Sequence, residues 1–176
     1  GEIIEVEVDF TSGLSGMVIV GLPDAAVQES RERVQSAVKN SGLAYSRKRF
    51  IVNLAPASVR KEGPSFDLPI AVGTLIMTNQ VAQEALENSM ILGELSLDGS
   101  VRHVRGVLSM AAAARSNGFK RIFVPDVDAA EAALIPDIEV IPVPSLYALY
   151  QHLNEDIPLS SQQNITMEDY EADFVN

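Results

Sequence analysis

Ser65 is the residue of this 176-residue sequence best placed to act as a nucleophile. It lies in the run Arg60-Lys61-Glu62-Gly63-Pro64-Ser65-Phe66-Asp67-Leu68-Pro69, between an apolar strand expected over 50–55 and an apolar helix expected over 67–77. A Gly-Pro-Ser turn that opens a helix sets a hydroxyl beside unpaired backbone N–H groups, where a nucleophile, a phosphate or a helix cap fits. A nucleophilic serine needs a base to take its proton. Nothing in the sequence brings His103 or His152 near Ser65, which leaves Lys48 and Lys61 for a Ser–Lys hydrolase. Lys61 stands in a charged turn and is expected to be too solvated for that role. On spacing alone, a helix cap in a tight turn is favoured over catalysis.

Other chemistries are quickly bounded. The chain has no Cys and only 2 His, with no HxxE or HExxH partner, so neither a thiolate nor a metal site is expected. There is no GxxxxGK[ST] and no GxGxxG, and Glu62 and Asp67 would repel a phosphate at the Ser65 turn. Basic residues form two groups. Arg47, Lys48, Arg49, Arg60 and Lys61 bracket the 50–55 strand, and Arg102, His103 and Arg105 follow an expected Asp98-Gly99 hairpin. In a ring such loops could line a channel and neutralise phosphates; the competing reading is a solvated rim paired with acids. The formal charge of −11 argues against a dedicated nucleic-acid module. That charge is uneven, because 155–176 holds six acids and no Lys or Arg, while eight of the 13 bases fall between Arg31 and Lys61.

The elements that must position these residues can be read from periodicity. Ile4, Val6, Val8 and Phe10 alternate with Glu5, Glu7 and Asp9, as in a half-exposed strand. The turn through Gly13 and Gly16 leads to Met17–Val20, and the two strands are expected to pair as a hairpin. The chain starts at a strand with no preceding turn, so an upstream strand is expected. A helix follows Gly21-Leu22-Pro23-Asp24 and stops at Gly42. The run 50–55 is apolar on both faces apart from Asn53 and suits a central strand. Beyond Met77, strands over 90–94, 121–124 and 139–143 alternate with helices over 106–117, 126–134 and 145–153, and Ser145 is a fitting N-cap. Ala111 to Ala114 suits close helix packing in the core. The expected class is an α/β (α+β) sandwich with a mixed sheet, an N-terminal hairpin and then alternating helix and strand. Residues 1–154 form the domain, and 155–176 an acidic flexible tail or linker. No apolar run reaches the ~18 residues of a membrane span, so a soluble cytoplasmic protein is expected.

Five ordered motifs carry a resemblance. Val20-Gly21-Leu22-Pro23-Asp24, Glu29-Ser30-Arg31-Glu32-Arg33-Val34, Val52-Asn53-Leu54-Ala55-Pro56-Ala57, Lys61-Glu62-Gly63-Pro64-Ser65-Phe66-Asp67-Leu68-Pro69-Ile70-Ala71 and Leu92-Gly93-Glu94-Leu95-Ser96-Leu97-Asp98-Gly99 resemble the N-terminal domain of the ComM/YifB family, magnesium-chelatase-like AAA+ ATPases. The resemblance implies the fold of the Lon proteolytic domain. It places Ser65 at the Lon nucleophile and Leu108 where the Lon Lys base stands, so it implies a degenerate, non-catalytic site. It also implies a cytoplasmic homo-oligomeric ring, a hexamer, that remodels DNA, with branch migration in natural transformation as ComM's role. ATP and Mg would belong to an AAA+ module absent from this chain, which itself needs no cofactor. DNA contact is expected at Arg47, Lys48, Arg49, Arg60 and Lys61, then at Arg102 and Arg105.

Overall fold

Phe50, Val52 and Leu54 set the plan of the first half. In the computed structural model, which describes residues 3–11, 13–46, 48–56, 61 and 64–175, these side chains are 0–1% exposed on strand β3 (Arg49–Ala55). Strand β1 (Glu5–Thr11) pairs antiparallel on one side, from Glu5 opposite Ala55 to Thr11 opposite Arg49. Strand β2 (Gly16–Val20) pairs parallel on the other, from Gly16 opposite Arg49 to Val20 opposite Asn53. The order is β1-β3-β2, so the hairpin expected from the sequence does not form. The strand richest in buried apolar residues takes the middle, where both edges are covered. β1, with an acid at alternate positions, takes the edge. The turn after Thr11 therefore spans two strand spacings, about 9.6 Å, rather than one. Among the described residues, only one face of this sheet is covered. On the other, Val18 lies beside Ile51, which is 39% exposed, and Val20 is 52% exposed.

Two helices cover the inner face. Helix α1 (Asp24–Asn40) buries Ser30, Val34, Ala37 and Val38, one stripe at helical spacing. It stops at Gly42, whose φ of +74° lets Leu43 N–H reach Val38 O at 3.2 Å. Helix α2 (Asp67–Met77) is the buried helix expected from its apolar run. Its Gly73 lies against β1, where a Cβ would collide with Val8 Cγ2.

The second half is built on a parallel sheet, β4 (Ser89–Ile91), β7 (Arg121–Pro125) and β8 (Glu139–Val143), in the order β4-β7-β8. Between β4 and β7 the expected hairpin forms: β5 (Glu94–Leu95) pairs antiparallel with β6 (Val101–Arg102) around Asp98-Gly99. Helix α3 (Val107–Ser116) buries Ala111 and Ala114 in one cluster with Ala129 and Ala132 of helix α4 (Ala129–Ala132). The small side chains permit the close approach that the Ala run suggested. Helix α5 (Leu146–Leu153) is capped by Ser145 Oγ, which accepts from Ala148 N–H at 3.1 Å. The mixed α/β class is as expected, with the β-structure in three small sheets rather than one. No helix among the described residues is long and apolar enough to cross a membrane.

Beyond α5 the chain returns over the second sheet. Gln162 N–H donates to Val140 O at 2.8 Å, and Ser161 Oγ to Glu139 at 2.6 Å. A short helix α6 (Met167–Tyr170) follows, capped by Thr166. His152 anchors the start of this return: its Nδ1 accepts from Leu159 N–H at 2.9 Å, and its ring meets Phe123 edge-on at 5.7 Å. Burial pushes the His152 imidazole below its ordinary value; Glu139 opposes the shift and Arg121 adds to it. A lowered folded value means the neutral ring is the one that folding prefers. The stability it contributes is complete above about pH 6.5, the unfolded value, and is lost as pH falls through the folded value. Thermal midpoints taken from pH 7.5 to 5 are therefore expected to fall more steeply for the wild type than for His152→Gln, whose amide keeps an acceptor but does not titrate. Parallel slopes would reject the role.

Candidate functional site

Ser65 lies half-buried in the turn before α2, and the turn is held by main-chain bonds. Gly93 N–H donates to Ser65 O at 3.1 Å, Leu68 N–H returns to Gly93 O at 3.0 Å, and Asp67 N–H closes on Pro64 O at 3.1 Å. The approach of Gly93 requires glycine, because a Cβ there would sit 2.8 Å from Val101 Cγ1 and 3.1 Å from Leu68 Cδ2. The hairpin β5–β6 is thus stitched directly to the Ser65 turn.

The carboxylate beside Ser65 is the hub. Asp67 is fully buried and gathers four donors: Arg33 Nε at 2.6 Å, an Arg33 terminal nitrogen at 3.2 Å, Ser30 Oγ at 2.9 Å and Leu95 N–H at 3.1 Å. Burial pushes its carboxyl up, while Arg33, Leu95 N–H and Ser30 pull it back, and the net direction is upward. Burial disfavours the Arg33 charge as well, but the bond and charge of Asp67 with the charges of Glu94 and Glu29 together outweigh it, and the guanidinium is held above its ordinary value. Arg33 therefore stays charged, and it satisfies Asp67 through the two-pronged geometry of a guanidinium on a carboxylate.

Ser65 borders a cleft of about 750 Å³ with mostly apolar walls, and Lys61 and Arg105 border it too. Contrary to expectation, Lys61 is not solvated: it is 4% exposed, and its Nζ donates to Pro56 O at 2.5 Å. That bond holds the Nζ against a main-chain carbonyl. Leu108, half-buried on the first turn of α3, offers only an aliphatic side chain. Gly106, at φ +77°, makes the turn just before that helix.

The basic positions are spread out. Lys48 is exposed, its Nζ 4.4 Å above the Phe10 ring. Arg49 is half-buried, its side chain lying along Gly13. Arg102 and Arg105 are exposed, on and just after β6. Arg47 and Arg60 lie outside the described residues. Lys61, buried, does not join a surface patch. His103 is tied to Asp128, Nδ1 to Oδ1 at 2.5 Å, while Asp128 Oδ2 accepts from Val104 N–H at 2.9 Å, so this acid fixes the entry to α3. No group of three or more His, Cys, Asp or Glu among the described residues could hold a metal ion.

This scaffold has counterparts. Residues 6–128 match the family described as subunit ChlI of Mg-chelatase. The chain belongs to that family. Among individual proteins, it is 44% identical to an uncharacterised protein of Mycobacterium tuberculosis H37Rv over 92% of this chain and 32% of that protein. It is 44% identical to the uncharacterised protein YifB of Escherichia coli K12 over 70% of this chain and 24% of YifB. It is 36% identical to the competence protein ComM of Haemophilus influenzae Rd over 91% of this chain and 32% of ComM. A weaker similarity, 24% identity over 87% of this chain, links it to the Lon protease of a phytoplasma. The chain thus spans a quarter to a third of the length of its nearer relatives.

For this ChlI-family chain, sequence reasoning found the Ser65 turn and missed its hub. It considered Asp67 only as a charge that would repel phosphate. The available signal was a lone acid at the first position of an otherwise apolar helix. A second was Ser30 and Arg33, three apart and so neighbours on one face of α1. Asp128 was missed in the same way, as an acid inside an Ala-rich segment.

Proposed function

We propose that this chain is a non-catalytic, Lon-like accessory domain of a ComM/YifB-type AAA+ ATPase that supports ring assembly and DNA remodelling. The observation that carries the reading is Leu108, an aliphatic residue at the position that the Lon resemblance assigns to the base. The bond of Lys61 Nζ to Pro56 O supports it as well. The open sheet face with Val18, Val20 and Ile51 supplies apolar surface for a neighbouring subunit in a homo-oligomeric ring, for which a hexamer is our reading. ATP and Mg would be bound by the AAA+ module, since these 176 residues hold no GxxxxGK[ST]. The reading extends to branch migration in natural transformation, in the cytoplasm, and the competence label of ComM is in keeping with the transformation part of it.

The test compares the parent ATPase with a version lacking residues 1–154, by mass photometry and DNA-stimulated ATP hydrolysis. Loss of the ring is expected; equal assembly and equal stimulation would sink the reading. DNA contact is tested separately by Lys48→Glu with Arg102→Glu and Arg105→Glu. Each phosphate contact removed is expected to lower the slope of log affinity against log salt by about 0.9 on duplex DNA. An unchanged slope would reject these residues.

A further inference from the structure

Helix α1 carries a second stripe besides the one it buries. Gln28, Arg31, Glu32, Gln35 and Lys39 recur at helical spacing, so they share one face. All five border a cleft of about 570 Å³, and the start of β2 and the segment before β3, with Tyr45, line the rest. Its two cations are held in place. Arg31 is half-buried, and its guanidinium donates to Met17 O at 3.2 Å and to Gln28 Oε1 at 2.8 Å. These bonds leave further guanidinium N–H groups for a ligand. Lys39 is exposed, its Nζ 5.7 Å from the centre of the Tyr45 ring, and that ring packs against Phe50 with centres 5.9 Å apart. Among the described residues neither cation forms an ion pair, whereas Arg33, on the same helix, meets both Asp67 and Glu29. Burial pushes the Tyr45 hydroxyl up and the Arg31 charge draws it down, with the net direction upward, so the phenol is a donor at neutral pH.

The spacing of the cations selects the ligand. Arg31 and Lys39 are about 12 Å apart along the helix axis, two turns, and Gln35 lies between them. A single phosphate would sit at one of them. A strand of nucleic acid carries a phosphate on each side of every nucleoside, so it offers an anion to each cation and a base or sugar edge to the amide between. Glu32, on the same stripe, repels a small free anion but accepts from a base N–H. A duplex presents its phosphates on a convex surface, which does not enter a cleft between a helix and a strand. Arg49 pairs with Gly16, which lines the cleft, so a third cation stands beside it.

We propose that the cleft between α1 and β2 binds single-stranded nucleic acid, with successive phosphates at Arg31 and Lys39 and a base or sugar edge at Gln35. The inference rests on the DNA reading above for the class of ligand, and it places the contact at residues which that reading does not include.

NMR titration of the 176-residue chain tests it, with a thymidine oligonucleotide of about 12 residues, a duplex of the same length, and inorganic phosphate. The oligonucleotide is expected to shift Gln35, Lys39 and the Tyr45 ring, and to bind about tenfold tighter than either competitor. Lys39→Gln gives up no main-chain bond. It should weaken oligonucleotide binding about tenfold and lower the slope of log affinity against log salt by about 0.7, one phosphate contact on a single strand. Arg31→Gln should do the same, with its thermal midpoint recorded because Met17 O loses a donor. Absence of shifts in the cleft overturns the inference, as does an unchanged slope in Lys39→Gln. Equal binding of inorganic phosphate also overturns it, by showing a simple anion site, and so does tighter binding of the duplex. Shifts confined to Lys48, Arg102 and Arg105 overturn it and leave the earlier DNA contacts standing. Cleft shifts and a salt slope that survive Lys48→Glu with Arg102→Glu and Arg105→Glu uphold it while those contacts fail.

Discussion

Asp67→Ala is expected to lower stability by about 3–5 kcal/mol, the range for removing one partner of a buried ion pair. At about 2–4 °C per kcal/mol for a chain of this size, the thermal midpoint falls on the order of 10 °C. The loss arises less from the pair itself than from what remains. Ser30 Oγ and Leu95 N–H would lose the acceptor they have in Asp67, and Arg33 would keep only its 3.8 Å approach to Glu29. The double variant Asp67→Leu with Arg33→Met removes both charges and is expected to recover part of the loss, since an apolar pair of similar volume often replaces a buried ion pair without penalty. Thermal and urea unfolding of the wild type, both single variants and the double variant give the coupling directly. A single variant within about 1 kcal/mol of wild type would show that the hub is not a stability determinant.

Phe50→Ala is expected to cost about 3–5 kcal/mol, as for other fully buried aromatic truncations. Phe50 is fully buried and lies between Phe10, with ring centres at 5.3 Å, and Tyr45 at 5.9 Å. Its loss empties the point where β1, β3 and the α1–β3 connection meet. Phe50→Leu keeps most of the volume and is expected to cost about 1.5 kcal/mol or less. Because Lys48 rests over the Phe10 ring, the alanine variant should also increase the mobility of that basic segment. Urea unfolding measures the first effect. NMR relaxation of Lys48 and Arg49 measures the second, and rates matching the wild type would uncouple the basic segment from the core.

Local structure was legible where local chemistry decides it. Helix α2 begins at Asp67 and ends at Met77, as its apolar run requires. Ser145 caps α5 as its type and place suggest, and Asp98-Gly99 turns the β5–β6 hairpin. Pairing between strands was less legible. The alternation of β1 reports that one face is exposed, but not which strand lies beside it. The competition between β2 and β3 for that place is decided by the burial of Phe50, Val52 and Leu54, which needs the whole layer. The site followed the same division. The Ser65 turn ahead of α2 could be placed by its Gly-Pro-Ser motif. The convergence of residues 30, 33, 67 and 95 depends on contacts between segments far apart in sequence.

Ser65 enters the fold through its carbonyl, which accepts from Gly93, while Asp67 and Gly93 hold the shape of the turn. The turn therefore does not rest on the residue that could have reacted. The printed bonds that shape the turn are main-chain ones, so exchanging the Ser65 side chain leaves each of them in place.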